Sequence, residues 1–352
     1  MFHNIISHEG IIRLVCFFGI LAVMVVWEVA APKRRLQVVR RRRWTGNLGI
    51  IALNTVLVRL VFPLLPSGVG VIAAEKGWGI LNMLELPFWS SVVLSVVVLD
   101  LAIYAQHVLF HYLPPLWRLH RLHHADLDFD VTTGVRFHPI EILLSIVIKI
   151  AVVAALGAPA VAVVIFEVLL NATSMFNHGN VVLPAGVDRV LRWVVVTPDM
   201  HRVHHSAVRT ETDSNFGFNL PWWDRIFDTY RAQPDAGHTG MTIGLPVFRE
   251  ENDLGDLLNG GGAGDWTIVF RHITSRDDLV GSGGLPAAAM SRLDDREALL
   301  ATLRALKENL NGELVTGLVT ADDEDYGIND LDDEVVRLAE TLLIDALVDR
   351  DV

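Results

Sequence analysis

The chain has 352 residues, of which 51% are hydrophobic and only 20% charged, with a formal net charge of −12; its mean hydropathy is +0.39. That apolar excess must be compared with a bilayer before a soluble core. The single cysteine, Cys16, excludes a disulfide framework and a thiolate-based metal site, so metal ligands must be His, Asp or Glu. The acidic excess is concentrated in residues 251–352, which leaves residues 1–250 weakly basic. Two compositions are joined, and no nucleic-acid partner is expected.

Leu14 to Trp27 carries no charge and is followed by Lys33, Arg34, Arg35 and Arg40 to Arg43. Such a basic cluster stays on the cytoplasmic side, so the first span is expected to run outside to inside as an uncleaved anchor. A cleaved signal peptide would carry its basic residues ahead of the apolar run. Gly49 to Leu65 forms a second apolar segment, interrupted by Arg59, and the Pro- and Gly-containing stretch from Pro66 to Gly79 reads as an outer loop. Leu86 to Gln106 supplies the roughly 20 residues needed to cross about 30 Å of hydrocarbon, which puts His107 at the cytoplasmic edge. Ile142 to Leu156 and Pro159 to Phe176 meet at Gly157 as an antiparallel helical pair, returning the chain to the cytoplasm before His178. Because Arg59, Lys149 and Glu167 interrupt these runs, four to five spans are expected. Beyond Glu250, glycine-rich links precede two acidic helical patterns, Leu299, Leu303, Leu306 and Leu310, then Val335, Leu338, Leu342 and Ala346. The expected architecture is all-α: an integral membrane helical bundle with a cytoplasmic histidine-rich metal-binding cap and a small acidic C-terminal helical appendage, in the inner or plasma membrane. Its parts are a transmembrane region (1–85), a catalytic domain (86–250) and a soluble extension (251–352).

Eight of the fourteen histidines fall in three dense groups. His107 and His111 are four apart, while His120, His123 and His124 share the i, i+3, i+4 spacing that returns in His201, His204 and His205. On a helix each group occupies one face. Imidazole binds Zn, Fe, Cu and Ni, and this spacing brings several rings to one ion without backbone strain. Eight ligands exceed the need of one ion, so two metals are expected. A solvated or pH-sensing face would explain histidines near a membrane, but not the repeated spacing. His138 and His178, each near a membrane boundary, are candidate ninth and tenth ligands; the isolated His3, His8, His238 and His272 are not assigned a role. Asp100 lies in an apolar run and shares a stripe with Tyr104, His107 and His111. An acid in hydrocarbon is costly, and orienting a ligand imidazole is the role expected of it.

These residues resemble the fatty acid hydroxylase and sterol desaturase superfamily of membrane non-haem di-iron oxygenases. Its HxxxH, HxxHH and HxxHH boxes are matched by His107 to His111, His120 to His124 and His201 to His205. The resemblance continues in Leu116-Trp117-Arg118, Arg136-Phe137-His138-Pro139, Asn177-His178-Gly179-Asn180, Thr197-Pro198-Asp199-Met200, Asn215-Phe216-Gly217 and Trp223-Asp224-Arg225, and spans Asp100 to Leu245. One departure is Val108 in the first box, where many members carry Arg. The resemblance implies two iron ions, with zinc as an alternative occupant, that use O2 to hydroxylate or desaturate a lipid: sterol, fatty-acyl or ether lipid. Electrons must come from a separate reductase, ferredoxin or cytochrome-type donor, because the sequence has neither a GxGxxG fingerprint nor a cysteine set for an iron-sulfur cluster. Two rival readings are a histidine-ligated zinc hydrolase acting on lipid, which lacks an HExxH base, and a metal transporter or sensor, for which only Asp100, Lys149 and Glu167 lie at depth.

Overall fold

The structure, a computed structural model, describes residues 7–84 and 86–246. The C-terminal extension and its two helical patterns lie outside the described residues. The described residues 7–111 and 119–246 belong to one compact unit, and 112–118 fall in a second.

Thirteen α-helices occur among the described residues and no strand, only the isolated bridges Pro32 to Val181 and Ser206 to Ile243. The long helices are α1 (Glu9–Ala30), α2 (Arg40–Val61), α5 (Phe88–Tyr112), α7 (Pro139–Leu156) and α8 (Ala160–Asn177). Among the described residues, five stretches are long and apolar enough to cross a membrane: Glu9–Ala30, Arg43–Met83, Phe88–Tyr112, Pro139–Leu156 and Ala160–Asn177. Large apolar side chains remain on their outer surfaces, among them Val15 and Val26 on α1, Leu60 on α2, Val93 on α5 and Val147 on α7. A soluble bundle would bury such stripes, whereas a bilayer solvates them.

Two of the interrupting charges, Lys149 and Glu167, are paired. On α7 and α8, Lys149 Nζ lies 3.3 Å from Glu167 Oε1, and Arg13 Nη2 on α1 lies 2.5 Å from Glu167 Oε2. Paired in this way, they do not disqualify the spans that hold them.

The expected outer loop from Pro66 to Gly79 is largely helical. Helix α3 (Pro66–Lys76) starts with Pro66 at its first position, where the missing N–H costs nothing, and ends at Gly77 in the left-handed region (φ 67°). It is followed by the short α4 (Ile80–Met83). Packing overrode the glycine signal: α3 lies against α7 and α8, and a Cβ on Gly70 would stand 2.8 Å from the Ala158 carbonyl oxygen. Here glycine permits close approach of two backbones instead of marking a turn. The junction at Gly157 behaves as expected, with φ 70° at the end of α7 and Pro159 before α8.

The remaining helices are short: α6 (Pro114–His124), α9 (Ala185–Leu191), α10 (Pro198–His204), α11 (Arg209–Thr212), α12 (Trp222–Ile226) and α13 (Gly237–Gly240). With their loops they form a polar cap held onto the long helices by buried carboxylates. Glu28 on α1 accepts from the backbone N–H groups of Val131 and Asn180 at 2.7 and 2.8 Å. Arg43, at the start of α2, grips Asp126 with two nitrogens at 2.7 and 2.8 Å and Asp130 with a third at 2.6 Å. Lys33 Nζ reaches Asp199 at 2.8 Å. Part of the basic cluster behind the first span therefore serves as a set of pins for the cap.

Candidate metal centre

Each histidine box lies on a helix whose start or finish is locally encoded. The first occupies the last two turns of α5, and the second ends α6. Helix α10, which carries the third, opens at Thr197, whose hydroxyl accepts from the Met200 N–H at 3.3 Å, with Pro198 in the first turn. His205 follows as its C-terminal cap.

The boxes converge into two groups: His107, His111, His120, His124 and His204 in one, and His123, His178, His201 and His205 in the other. Within each group one ring nitrogen per residue lies within 4.8 Å of all the others, and all nine residues are buried. The boxes are shared between the groups, since His120 and His124 part from His123, and His204 parts from its neighbours His201 and His205.

The tautomers can be argued from the partners. A carbonyl oxygen only accepts, so a ring nitrogen bonded to one must carry the proton. His107 Nδ1 donates to the Phe216 carbonyl at 2.7 Å, His123 Nδ1 to that of Arg136 at 3.1 Å, His178 Nδ1 to that of Ser174 at 2.7 Å and His204 Nδ1 to that of Ser214 at 2.8 Å. The Nε2 atoms of these four rings therefore present lone pairs. Yet His178 Nε2 stands 3.1 Å from His123 Nε2, 3.1 Å from His201 Nε2 and 3.2 Å from His205 Nε2. The facing lone pairs of His178 and His123 repel at that distance unless a cation lies between them. Nitrogens bound side by side to one ion through bonds of about 2.1 Å stand about 3 Å apart, the spacing found here. In the other group His107 Nε2 is 3.0 Å from His120 Nε2, His111 Nε2 is 3.1 Å from His124 Nε2, and the buried His204 Nε2 has no hydrogen-bond partner. This donor set fits metal ions.

Electrostatics agree with that assignment. Burial, reinforced by neighbouring imidazoles, pushes His123, His124, His201 and His205 well below the ordinary histidine range. Burial likewise brings His178 and His204 to about 3. At neutral pH these rings are uncharged, the form that ligates.

Two carboxylates that the sequence reading did not single out hold ligand rings. Glu141 Oε1 lies 2.7 Å from His120 Nδ1, and Asp213 Oδ1 lies 3.3 Å from His111 Nδ1. Such partners fix ring orientation and raise ligand basicity. Glu141 follows His138 by three positions at the edge of an apolar run, and an acid entering a membrane helix was the available signal.

Asp100 takes a different place from the one expected. Its carboxylate accepts from the backbone of Asn219 and Leu220 at 3.3 and 3.2 Å and from Trp223 Nε1 at 2.8 Å, so it braces the segment beyond the third box. His138 joins neither group. Its Nδ1 accepts from the Ile140 N–H at 3.1 Å, making it the N-terminal cap of α7.

The Asn215-Phe216-Gly217 turn is set by Asn215 at φ 53°, a left-handed conformation that Asn tolerates. Its amide donates to the Met200 and Arg231 carbonyls at 2.9 and 2.8 Å, fixing the flanking Ser214 and Phe216 carbonyls that receive His204 and His107. Asp224 closes the turn by accepting from Phe216 N and Gly217 N at 2.7 and 2.9 Å. Phe129, Phe137, Phe216 and Phe218 pack against the rings and line the centre with apolar surface.

The sequence profile of the fatty acid hydroxylase family matches residues 92–229, which contain every residue of the two groups. Among curated proteins, the ornithine lipid hydroxylase OlsE of Rhizobium tropici is 32% identical over 159 residues, covering 45% of this chain and 47% of its own. The alkylglycerol monooxygenase of Homo sapiens is 28% identical over 179 residues, 49% of this chain and 38% of its own. The very-long-chain aldehyde decarbonylase GL1-6 of Oryza sativa subsp. japonica is 24% identical over 208 residues, 56% and 30% respectively. The matched part of the chain thus spans less than half the length of these relatives. No solved structure matches.

Proposed function

We propose that this chain, whose residues 92–229 match the profile of the fatty acid hydroxylase family, is a membrane-bound O2-dependent oxidoreductase that hydroxylates or desaturates a C–H bond of a lipid at a centre of two iron ions. The observation that carries the proposal is the pair of buried imidazole groups, five and four rings, with Nε2 lone pairs facing one another. Bound there, two irons would supply the O2 activation and C–H oxidation that no side chain provides. His107, His111, His120, His124 and His204 would hold one ion, and His123, His178, His201 and His205 the other.

The chain's own groups set the conditions for that chemistry. The carbonyls of Arg136, Ser174, Ser214 and Phe216 keep each Nδ1 proton outward, so that Nε2 remains available to an ion at neutral pH. Glu141 and Asp213 orient His120 and His111. Phe216 and Phe218 exclude water around the rings. Leu99, Ile103, Val153 and Phe166 form a continuous apolar cluster with Phe218, joining the bilayer region to the centre. A lipid could keep its body in hydrocarbon while its reacting carbon approaches the ions. The relatives are named for lipids, ornithine lipid and alkylglycerol among them, which supports a lipid here.

The pins of the cap support a cytoplasmic histidine centre. Lys33 and Arg43 belong to the basic cluster and also bond to cap residues Asp199, Asp126 and Asp130. On this reading the cluster and the histidines share one side of the bilayer, and the preference of such clusters for the cytoplasm supports that side for both. Electrons would come from a separate donor protein.

The test compares lipids of cells with and without the protein, looking for gain of one oxygen or loss of two hydrogens, alongside metal analysis and an optical spectrum of the purified protein. His204→Ala is expected to abolish the mass change. An active protein that holds only zinc and works without O2 would replace the oxygenase with a hydrolase, and metal flux into vesicles would favour a transporter.

A further inference from the structure

Several large apolar side chains of the cap are exposed although they lie outside the five candidate spans. Val190 is 66% exposed, Trp193 60%, Val194 61%, Trp222 43%, Ile226 64% and Phe227 54%. They are gathered on α9, the turn behind it and α12, two elements joined by Trp222 Nε1 donating to the Trp193 carbonyl at 2.8 Å and by the Arg225 guanidinium over the Trp193 ring at 4.4 Å. A patch of this kind on a monomeric surface marks an interaction site.

Three contacts fix its depth. Leu220 N and Trp223 Nε1 bond to Asp100 on α5, seven residues before His107 and so about 10 Å further along the helix toward the interior of the span. Asn219 bonds to Thr173 on α8, five residues before His178 and about 7 Å deeper than it. Thr229 Oγ1 then meets Tyr104 OH at 2.9 Å, only about 5 Å from the level of His107. The chain thus lies level with Asp100 from 219 to 223 and has climbed toward the level of His107 by Thr229. Its buried side packs Trp223 and Leu220 onto Val97, Leu101 and Tyr104 of α5, so its exposed side continues the lipid-facing surface of that helix. Tryptophans flanked by the guanidinium of Arg225 have the composition of a membrane-water boundary, where ring bodies sit in acyl chains and polar edges reach the headgroups.

We propose that α9, residues 192–194 and α12 form a re-entrant wedge inserted into the bilayer leaflet on the side of the histidine centre, with the bilayer itself as the partner of the patch. The wedge turns the cap from a domain held above the membrane into one seated in it, and it places the apolar approach to the histidines below the headgroups. This inference rests on the membrane reading of the five long helices but not on the identity of the metal or the reaction.

Site-directed spin labelling tests it, using the full chain in vesicles of phosphatidylethanolamine and phosphatidylglycerol. In a Cys16→Ser background, a nitroxide is attached to Val190→Cys, Val194→Cys or Ile226→Cys, with Val93→Cys on α5 as the lipid-facing reference and Ala236→Cys as the aqueous one. At the three wedge positions, collision with O2 is expected to exceed collision with a water-soluble nickel chelate several-fold, approaching Val93→Cys, whereas Ala236→Cys shows the reverse. A ratio at the wedge positions like that of Ala236→Cys would overturn the proposal. Low collision rates with both reagents would also overturn it, replacing the bilayer with a second protein surface. Failure of Val93→Cys to behave as lipid-facing would instead sink the membrane reading beneath it.

Discussion

Replacing Arg43 with Ala gives a direct test of how the cap is held. The Arg43 side chain is 5% exposed, and its three nitrogens serve Asp126, Asp130 and Thr133. Removing it leaves two buried carboxylates without their cation, a change that costs about 3–5 kcal/mol. Against a typical stability of about 5–15 kcal/mol, that is a large share. Arg43→Lys keeps the charge but loses the fork, so it is expected to fall between wild type and Arg43→Ala. The damage should concentrate in residues 125–136, because the Arg136 carbonyl that anchors His123 lies at the end of that loop. The group containing His123 and His178 should therefore lose metal before the other. The acid limb should move as well. Burial alone would raise the Asp126 carboxyl, but Arg43 beside it overrides burial and holds it at about 2, below the ordinary 3.8. The pair's stabilisation is thus fully present above about pH 4 and lost as pH falls through about 2, and in Arg43→Ala this acid-dependent loss should shrink, because burial without Arg43 moves the Asp126 carboxyl back up. Denaturant unfolding in detergent, followed by helicity and metal content across pH 2–6, reads all of these effects. A stability change under about 1 kcal/mol, with an unmoved acid limb, would refute the claim that Arg43 pins the loop.

Glu141→Ala should weaken metal binding to the group containing His120 by about 10–100-fold while leaving helicity intact, as measured by competition with a chelator. Gly70→Ala places a methyl 2.8 Å from the Ala158 carbonyl oxygen and should cost about 1–3 kcal/mol in unfolding experiments, whereas Gly186→Ala, with open space around it, should cost far less. For the metal-free protein, burial holds His178 and His204 at about 3 against an ordinary 6.5. Between these values the unfolded chain binds more protons, so stability should fall as pH drops from about 6.5 toward 3, and a flat profile there would contradict neutral buried rings.

Much of the site was legible before the fold. Three histidine boxes at helical spacing announce convergent imidazoles, because i, i+3 and i+4 share a face whatever the helix packs against. The apolar runs likewise give the crossing helices, since hydrophobic length is a local property. Asp100 and His138 were misplaced for the opposite reason. A carboxylate or an imidazole at a given position has several possible partners, and only the packed chain shows that one braces residues 219–223 and the other caps α7.

The amino-acid sequence alone determined that this protein is helical, has runs long and apolar enough to cross a membrane and carries imidazoles grouped at helical spacing, because periodicity and apolar length act within single segments. Tertiary structure decided how nine rings divide into two groups, splitting both HxxHH boxes, and which carbonyls and carboxylates hold them. It also made Gly70 a packing contact and part of the basic cluster a set of cap anchors. Those assignments depend on groups distant in the chain, Arg43 with Asp126 or His178 with His123, and the fold alone brings their atoms within bonding distance.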